Sequence, residues 1–483
     1  MVMGEFTQET EVLVIGGGPG GYAAAFRAAD LGLKVTMVDM EPRAGGVCLF
    51  RGCIPSKTLL YVSELLHDVK GAKKMGVNFN EPQVDLHRLR EWKGQVVDKL
   101  AKGLVQLSKK RKVEYIQARA GFEDSHHVRL YDSESGISHI KFKHAIIATG
   151  SRPIPLPGSE FKPGSRIMDS GGALKLEEIP EKLLVVGGSY VGVEMGSVYA
   201  SLGSQVTLIE MMDRIMPGAD RDLVQPLQER LEDLFRKIHV NTKLASAKED
   251  DAVVKVTLEG DVDEMTQTFD RVLVAIGRRP NSENLGLENT KVEIDEYGFV
   301  LVDEQRRTGQ KNLYAIGDVV GGIMLAHKAM YEGKVAAEVI AGEPSAFDAR
   351  AIPAVVYTDP QLAWCGLTEE NARRENRSIR ISRFPWVASG RAASMGMARG
   401  MTKIIVDLET ERVLGMGIVG REAGEMISEG VLAVEMGALA EDLALTMHPH
   451  PTLSETEEEA AGAFLGSSTH ILPREEEIGS EKQ

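Results

Sequence analysis

The sequence predicts an α/β protein with two Rossmann-like, doubly wound units followed by a smaller C-terminal α+β unit. Three observations carry this expectation. A strand–glycine turn–helix–strand pattern opens the chain, the same pattern returns near residue 182, and the segment 351–470 changes in character. A chain of 483 residues suits roughly three domains of about 150 residues each.

In the first unit, "EVLVIGGGPGG" is an apolar run entering a glycine cluster, "YAAAFRAADLGL" has helical composition and "KVTMVDM" is a second strand. Gly16, Gly18 and Gly21 form a G-x-G-x-x-G turn, and Asp39 ends the second strand. Such glycines let backbone approach a pyrophosphate at a helix N-terminus, while the acid accepts a hydrogen bond from a ribose hydroxyl.

The second unit, "KLLVVGGSYVGVEMGSVYASLGSQVTLIE", repeats the spacing: Gly187 to Glu210 is the same separation as Gly16 to Asp39. Gly187 and Gly192 keep register, Ser189 takes the middle position at an expected cost in backbone freedom, and Tyr190 follows. Glu210 would repel a 2′-phosphate and so favours NAD over NADP; Arg214 lies past the strand end. "AIIATGSRP" and "VLVAIGRRP" are a further echo, each a buried strand ending in a glycine turn, at Thr149–Gly150 and at Gly277. Dinucleotide-binding units are therefore expected over 1–155 and 156–280. A segment over 281–350 would complete the first, and a polar tail over 471–483 is expected to be loosely attached. Within 351–470, "TKIIVDL" and "VLGMGIVG" read as strands and "ISEGVLAVEMGA" as a helix.

Composition narrows the function. Hydrophobic residues make up 43%, enough for large cores, and a formal charge of −15 argues against nucleic acid and against anionic membranes. The N-terminus carries no basic leader and no stretch reaches about 18 apolar residues, so a cytoplasmic protein without membrane spans is expected.

The chain has three cysteines, and "GGVCLFRGCIPSK" holds Cys48 and Cys53 close together. A bridge between them requires a distorted turn, which Gly52 and Pro55 permit. As a staple it would close a tiny loop of little use to a chain this size, and a zinc site needs about four ligands. A redox disulfide fits best, with the staple and a metal site as alternatives; a helix starting near Pro55 would lower a thiol's pKa. Cys365 reads as a core thiol. "HPHPTLSE" offers His450 as a general base oriented by Glu455, but Thr452 and Glu455 equally fit a T-x-x-E capping box.

Taken together these residues resemble the pyridine nucleotide–disulfide oxidoreductase family, and within it the members that oxidise dihydrolipoyl groups. The similarity runs from about residue 10 to 462 and includes "NLYAIGDV", with Gly317 and Asp318, which resembles the family's second flavin motif. The resemblance implies FAD and NAD domains, a C-terminal dimerisation domain, a homodimer and no metal. It implies that Cys48 meets the substrate, Cys53 faces the flavin, Lys57 pairs with Glu194 near the flavin's reactive nitrogen and Asp318 holds the ribityl chain. His450, oriented by Glu455, would act on the active site of the other subunit. The partner implied is a lipoyl-bearing protein of a multienzyme complex or a lipoyl carrier. Val47 stands where the family usually has threonine, and Tyr190 where glutathione reductases carry one. A glutathione-type reductase would carry arginines in place of Glu210, a mercuric reductase a C-terminal cysteine pair, and a soluble transhydrogenase no cysteine pair. A flavoprotein subunit without turnover of its own is the reading from another class.

Overall fold

The computed structural model describes residues 6–472 and 476–478. β1 (Phe6–Ile15), α1 (Pro19–Asp30) and β2 (Val35–Asp39) form the opening unit, and β1 and β2 run parallel. Strand Ile137–Ile147 lies on the other side of β1, and Leu313–Ala315 adds beside it. A strand from far along the chain thus completes the first sheet. Val12, Leu13 and Val14 are fully buried, as a strand covered on both faces requires. Helix Ala326–Ile340 packs on α1, where Gly20 and Gly333 let the two backbones approach.

The second sheet repeats the arrangement with parallel strands Lys182–Val186, Gln205–Ile209 and Arg271–Val274, and Tyr190–Ser201 is its first helix. Short strands Ser151–Pro153 and Arg278–Pro280 pair antiparallel where the chain passes between the units. The C-terminal sheet is antiparallel through Ala354–Val356, Gln361–Gly366, Val413–Gly420, Met401–Asp407 and Ile379–Pro385. Helices Ala423–Met436 and Glu455–Leu465 pack against it.

The tail differs from expectation: Glu476–Ile478 pairs with Ile379–Ile381 as an edge strand, because that sheet edge offers free backbone groups. The other residues after 472 lie outside the described residues. Where the second unit meets the C-terminal sheet, Lys403 is buried and its Nζ reaches Asp220, Asp222 and Glu369 at 2.7, 2.7 and 2.8 Å. Among the described residues no helix is long and apolar enough to cross a membrane.

Candidate active site

The two glycine turns share one backbone geometry at their first and last glycines. Gly16 and Gly187 both have φ 108°, and an added Cβ would lie 2.2 Å from Ala148 O and 2.4 Å from Ala275 O. At Gly21 and Gly192 a Cβ would meet the carbonyl oxygen of the turn's own first glycine at 1.8 and 1.9 Å. The closing acids are held alike. Asp39 accepts hydrogen bonds from Gly17 N and, at 2.7 Å, Glu41 N; Glu210 accepts from Gly188 N at 2.6 Å and Met212 N at 2.8 Å. The expected cost at Ser189 is absent: its φ is −86°, beside −69° at Gly18, a region open to any residue. Its hydroxyl makes no capping bond, so the first amides of that helix have no side-chain acceptor there. Arg214 turns to Glu370 and Pro217 O and pairs with neither Glu210 nor the turn.

One cleft collects most of the expected first-site residues: Gly16, Gly18, Asp39, Val47, Cys48, Cys53, Lys57, Thr149, Gly150, Tyr190, Glu194, Gly317 and Asp318. Gly21 shapes the turn from behind. Gly187, Ser189, Gly192, Glu210 and Gly277 belong to the second turn, and His450 and Glu455 lie apart from the cleft on the C-terminal unit.

α2 (Gly46–Arg51) and α3 (Cys53–Gly71) carry the cysteine pair. The helix begins at Cys53, earlier than the expected start near Pro55, because the break falls at Gly52, whose φ of −147° and ψ of −115° interrupt the spiral. A Cβ on Gly52 would press to 3.0 Å from Val47 O and 3.3 Å from Cys48 Cα, so the small residue allows the two helix ends to close on each other. Both cysteines are free thiols within hydrogen-bonding reach. The Cys48 thiol donates to Cys53, which lowers Cys53 to about 7 against the opposing effect of burial; the Lys57 charge acts in the same direction. Cys48, as the donor, is raised. Cys365 is 1% exposed and its thiol is pushed up to about 12 by burial.

Lys57 Nζ sits one turn into α3 and bonds to both Glu194 oxygens, at 2.9 and 2.8 Å. Glu194 Oε1 also accepts from Tyr357 N at 3.0 Å, and Lys57 stands 4.7 Å over the Tyr357 ring. Asp318 accepts from Ser151 Oγ, to which Arg278 Nε donates at 2.7 Å. Thr149 Oγ1 donates to Asn281 O at 2.7 Å, and Gly317 N to the buried Glu332 at 2.7 Å. Tyr357, Ser151 and Arg278 are absent from the residues that sequence reasoning selected. The last two lie inside the echoed "GSRP" and "GRRP" turns, which was the available signal; Tyr357 has no local signature.

His450 Nδ1 meets Glu455 Oε1 at 2.8 Å, while Glu455 Oε2 accepts from Thr452 N at 2.6 Å. Glu455 is thus the histidine's partner, and the capping box is not formed: the helix starts at Glu455 itself, its N-cap is Ser454 without a side-chain cap bond, and Thr452 Oγ1 donates to Pro449 O. The Glu455 carboxyl lies below the usual range because the Thr452 amide and His450 outweigh burial. The His450 side chain is 73% exposed.

Two stacked dinucleotide folds with a close thiol pair in the cleft of the first define a flavin-type disulfide oxidoreductase. The profile described as "Pyridine nucleotide-disulphide oxidoreductase" matches residues 10–333, and that family's dimerisation domain matches 352–461. The chain is 47% identical to a dihydrolipoyl dehydrogenase of Haemophilus influenzae over 96% of each chain. It is 46% identical to one of Bacillus subtilis over 98% of this chain and all of the other. Among solved structures, LpdA from Mycobacterium tuberculosis superposes with a TM-score of 0.87 at 28% identity, covering 94% of this chain and 99% of that one. The chain belongs to the pyridine nucleotide–disulphide oxidoreductase family, uses FAD and NAD, and forms a homodimer through its C-terminal domain.

The residues fit both cofactors. The first turns of α1 and of Tyr190–Ser201 have no side-chain cap, and the close-packed glycines keep side chains off the backbone that a pyrophosphate would meet. Asp39 and Asp318 share the cleft with both cysteines, as a flavin dinucleotide spanning it requires.

Proposed function

We propose that this enzyme oxidises a protein-bound dihydrolipoyl group through the Cys48–Cys53 pair and passes the electrons to NAD⁺. The observation that carries the reading is the thiol pair itself, with Cys53 lowered to about 7 in a cleft that also holds Lys57 and Asp318. The near-full-length similarity to dihydrolipoyl dehydrogenases supports the choice of substrate.

In the oxidised enzyme Cys48 and Cys53 share a disulfide. His450 of one subunit takes the proton of a dihydrolipoyl thiol at the partner's site, and the thiolate attacks Cys48 Sγ. A bond forms between substrate sulfur and Cys48, the Cys48–Cys53 bond breaks, and Cys53 leaves as thiolate. His450 releases the first proton to solvent and takes that of the second substrate thiol; the resulting thiolate closes the lipoyl disulfide and displaces Cys48, which His450 then protonates. Cys53 is the better leaving group because the Lys57 charge stands beside it and holds the thiolate; once Cys48 is released as a thiol, its hydrogen bond adds to that. Bound flavin supplies the two-electron passage from the dithiol to NAD⁺ that regenerates the disulfide. Glu194 and Tyr357 fix Lys57 in place, Ser151 and Arg278 fix Asp318, and Glu210 selects NAD.

On this reading the partner is the lipoyl domain of a multienzyme complex or a lipoyl carrier, and the setting is the cytoplasm, where thiols are kept reduced. The test is NAD⁺ reduction by free dihydrolipoamide, with NADP⁺ and glutathione as comparisons. Cys48→Ser loses about three orders of magnitude or more of that activity, as removal of a nucleophile does. Retained turnover in that variant would end the disulfide cycle.

A further inference from the structure

We infer that His448 is the positioning residue that aims His450, an inference that rests on the reading of His450 as the base. The two histidines are two residues apart yet differ in surroundings. The side chain of His448 is 5% exposed and that of His450 is 73% exposed. His448 Nδ1 bonds to Thr446 O at 2.8 Å inside the loop, and Nε2 bonds to Glu429 Oε1 at 2.9 Å on helix Ala423–Met436. Glu458, on the helix that Glu455 opens, lies 3.4 Å from Nδ1. Thr446 O can only accept, so Nδ1 donates to it, and the Glu429 carboxylate meets the other ring nitrogen. The ring thus joins the loop to two helices, and one of them carries the partner of His450.

The chain between the two histidines transmits this fixed point. Pro449 locks its own φ, and the ring of Pro451 restricts the backbone of His450. Few torsions remain between the His448 and His450 Cα atoms, so an orientation set at His448 is delivered at His450. Glu455 then fixes the imidazole through Nδ1 and leaves Nε2 outward. Without His448 the loop loses its bond to helix Ala423–Met436, and only the short-range contacts around Thr452 and Glu455 hold the ring.

The experiment compares His448→Phe, His448→Gln and His450→Ala in the intact dimer. Two reactions are followed: dihydrolipoamide-driven reduction of NAD⁺, and NADH-driven reduction of ferricyanide, which bypasses the thiols and the base. A base displaced by about 1 Å loses on the order of 100-fold in rate, so His448→Phe is expected to lower kcat with dihydrolipoamide about 10- to 100-fold. KM should change less than about threefold and the ferricyanide rate less than about twofold, because binding and the flavin site are untouched. His448→Gln, which still donates to Glu429, recovers part of the loss. The inference is overturned if His448→Phe keeps dihydrolipoamide turnover while His450→Ala loses it. It is also overturned if both reactions of His448→Phe fall together with its melting temperature, the mark of a purely structural role. If His450→Ala itself retains turnover, the base assignment fails, and the positioning role fails with it.

Discussion

Burial pushes the pKa values of Cys53 and Glu457 in the same upward direction, yet the two end on opposite sides of their ordinary values. Cys53 stays low because a hydrogen-bond donor and a cation face it. In the two-electron-reduced enzyme the Cys53 thiolate should appear with a midpoint near 7, read by thiolate absorbance. Cys48→Ala should move that midpoint up by about one unit or more, whereas Cys48→Ser, which still donates, should keep most of the depression. Glu457 has neither donor nor cation. It is 0% exposed, both oxygens lack a hydrogen-bond partner, and burial, with Glu429 adding to it, raises the carboxyl to about 9. A carboxyl raised in the folded state contributes stability that is fully present below its unfolded pKa and lost as pH rises toward 9. The wild type should therefore lose up to about 1.4 kcal/mol per pH unit across that window relative to Glu457→Gln, measured by denaturant unfolding at several pH values. Equal slopes in the two proteins would contradict the assignment. The closeness of Cys48 to Cys53 and the contact of His450 with Glu455 were legible because each rests on a spacing of five residues. The burial of Glu457 was not: within "SETEEEAA" it is one acid among four, and only the packing of its helix singles it out.

Among the elements, the glycine turns were the most legible feature, because the steric demand is local. A Cβ at Gly192 would sit 1.9 Å from Gly187 O, and nothing outside the turn can relieve that. Gly192→Ala should cost about 1–3 kcal/mol at the second turn, raising KM for NAD⁺ about tenfold or more while FAD and dihydrolipoamide reduction of the cysteine pair are retained. Cofactor content and a single-turnover reduction check this; loss of FAD would show that the two turns are not independent. Ser189 marks where local reasoning misjudged. The motif's middle glycine need not adopt positive φ, so serine replaces it without strain. The start of α3 was misplaced for a related reason, since Pro55 suits the first turn of a helix but Gly52 is where the previous helix breaks.

For the whole molecule, the duplicated fold and the C-terminal unit could be read from repeating strand–turn–helix patterns. What could not be read is how the units lock together, because those contacts join residues distant in sequence: Lys403 with Asp220 and Asp222, and Arg421 with Glu64 and Asp68. His450 lies away from its own chain's thiols, which gives a prediction at the level of the dimer. Mixing unfolded Cys48→Ser and His450→Ala chains and refolding them should restore about a quarter of wild-type turnover, because half the dimers are mixed and each of those has one complete site. Activity no higher than that of the separate variants would place both groups in one subunit.

The Lys57–Glu194–Tyr357 contact draws one side chain from each of the three units to a single point. Opening the seam between the first two units therefore means parting an ion pair whose carboxylate is 5% exposed, and lifting the C-terminal unit away strips that carboxylate of its Tyr357 amide donor. Tyr190, at the start of the second unit's helix, lines the cleft beside that fastening, so the same seam that the ion pair closes also brings the second turn's aromatic ring up to the thiols' chamber.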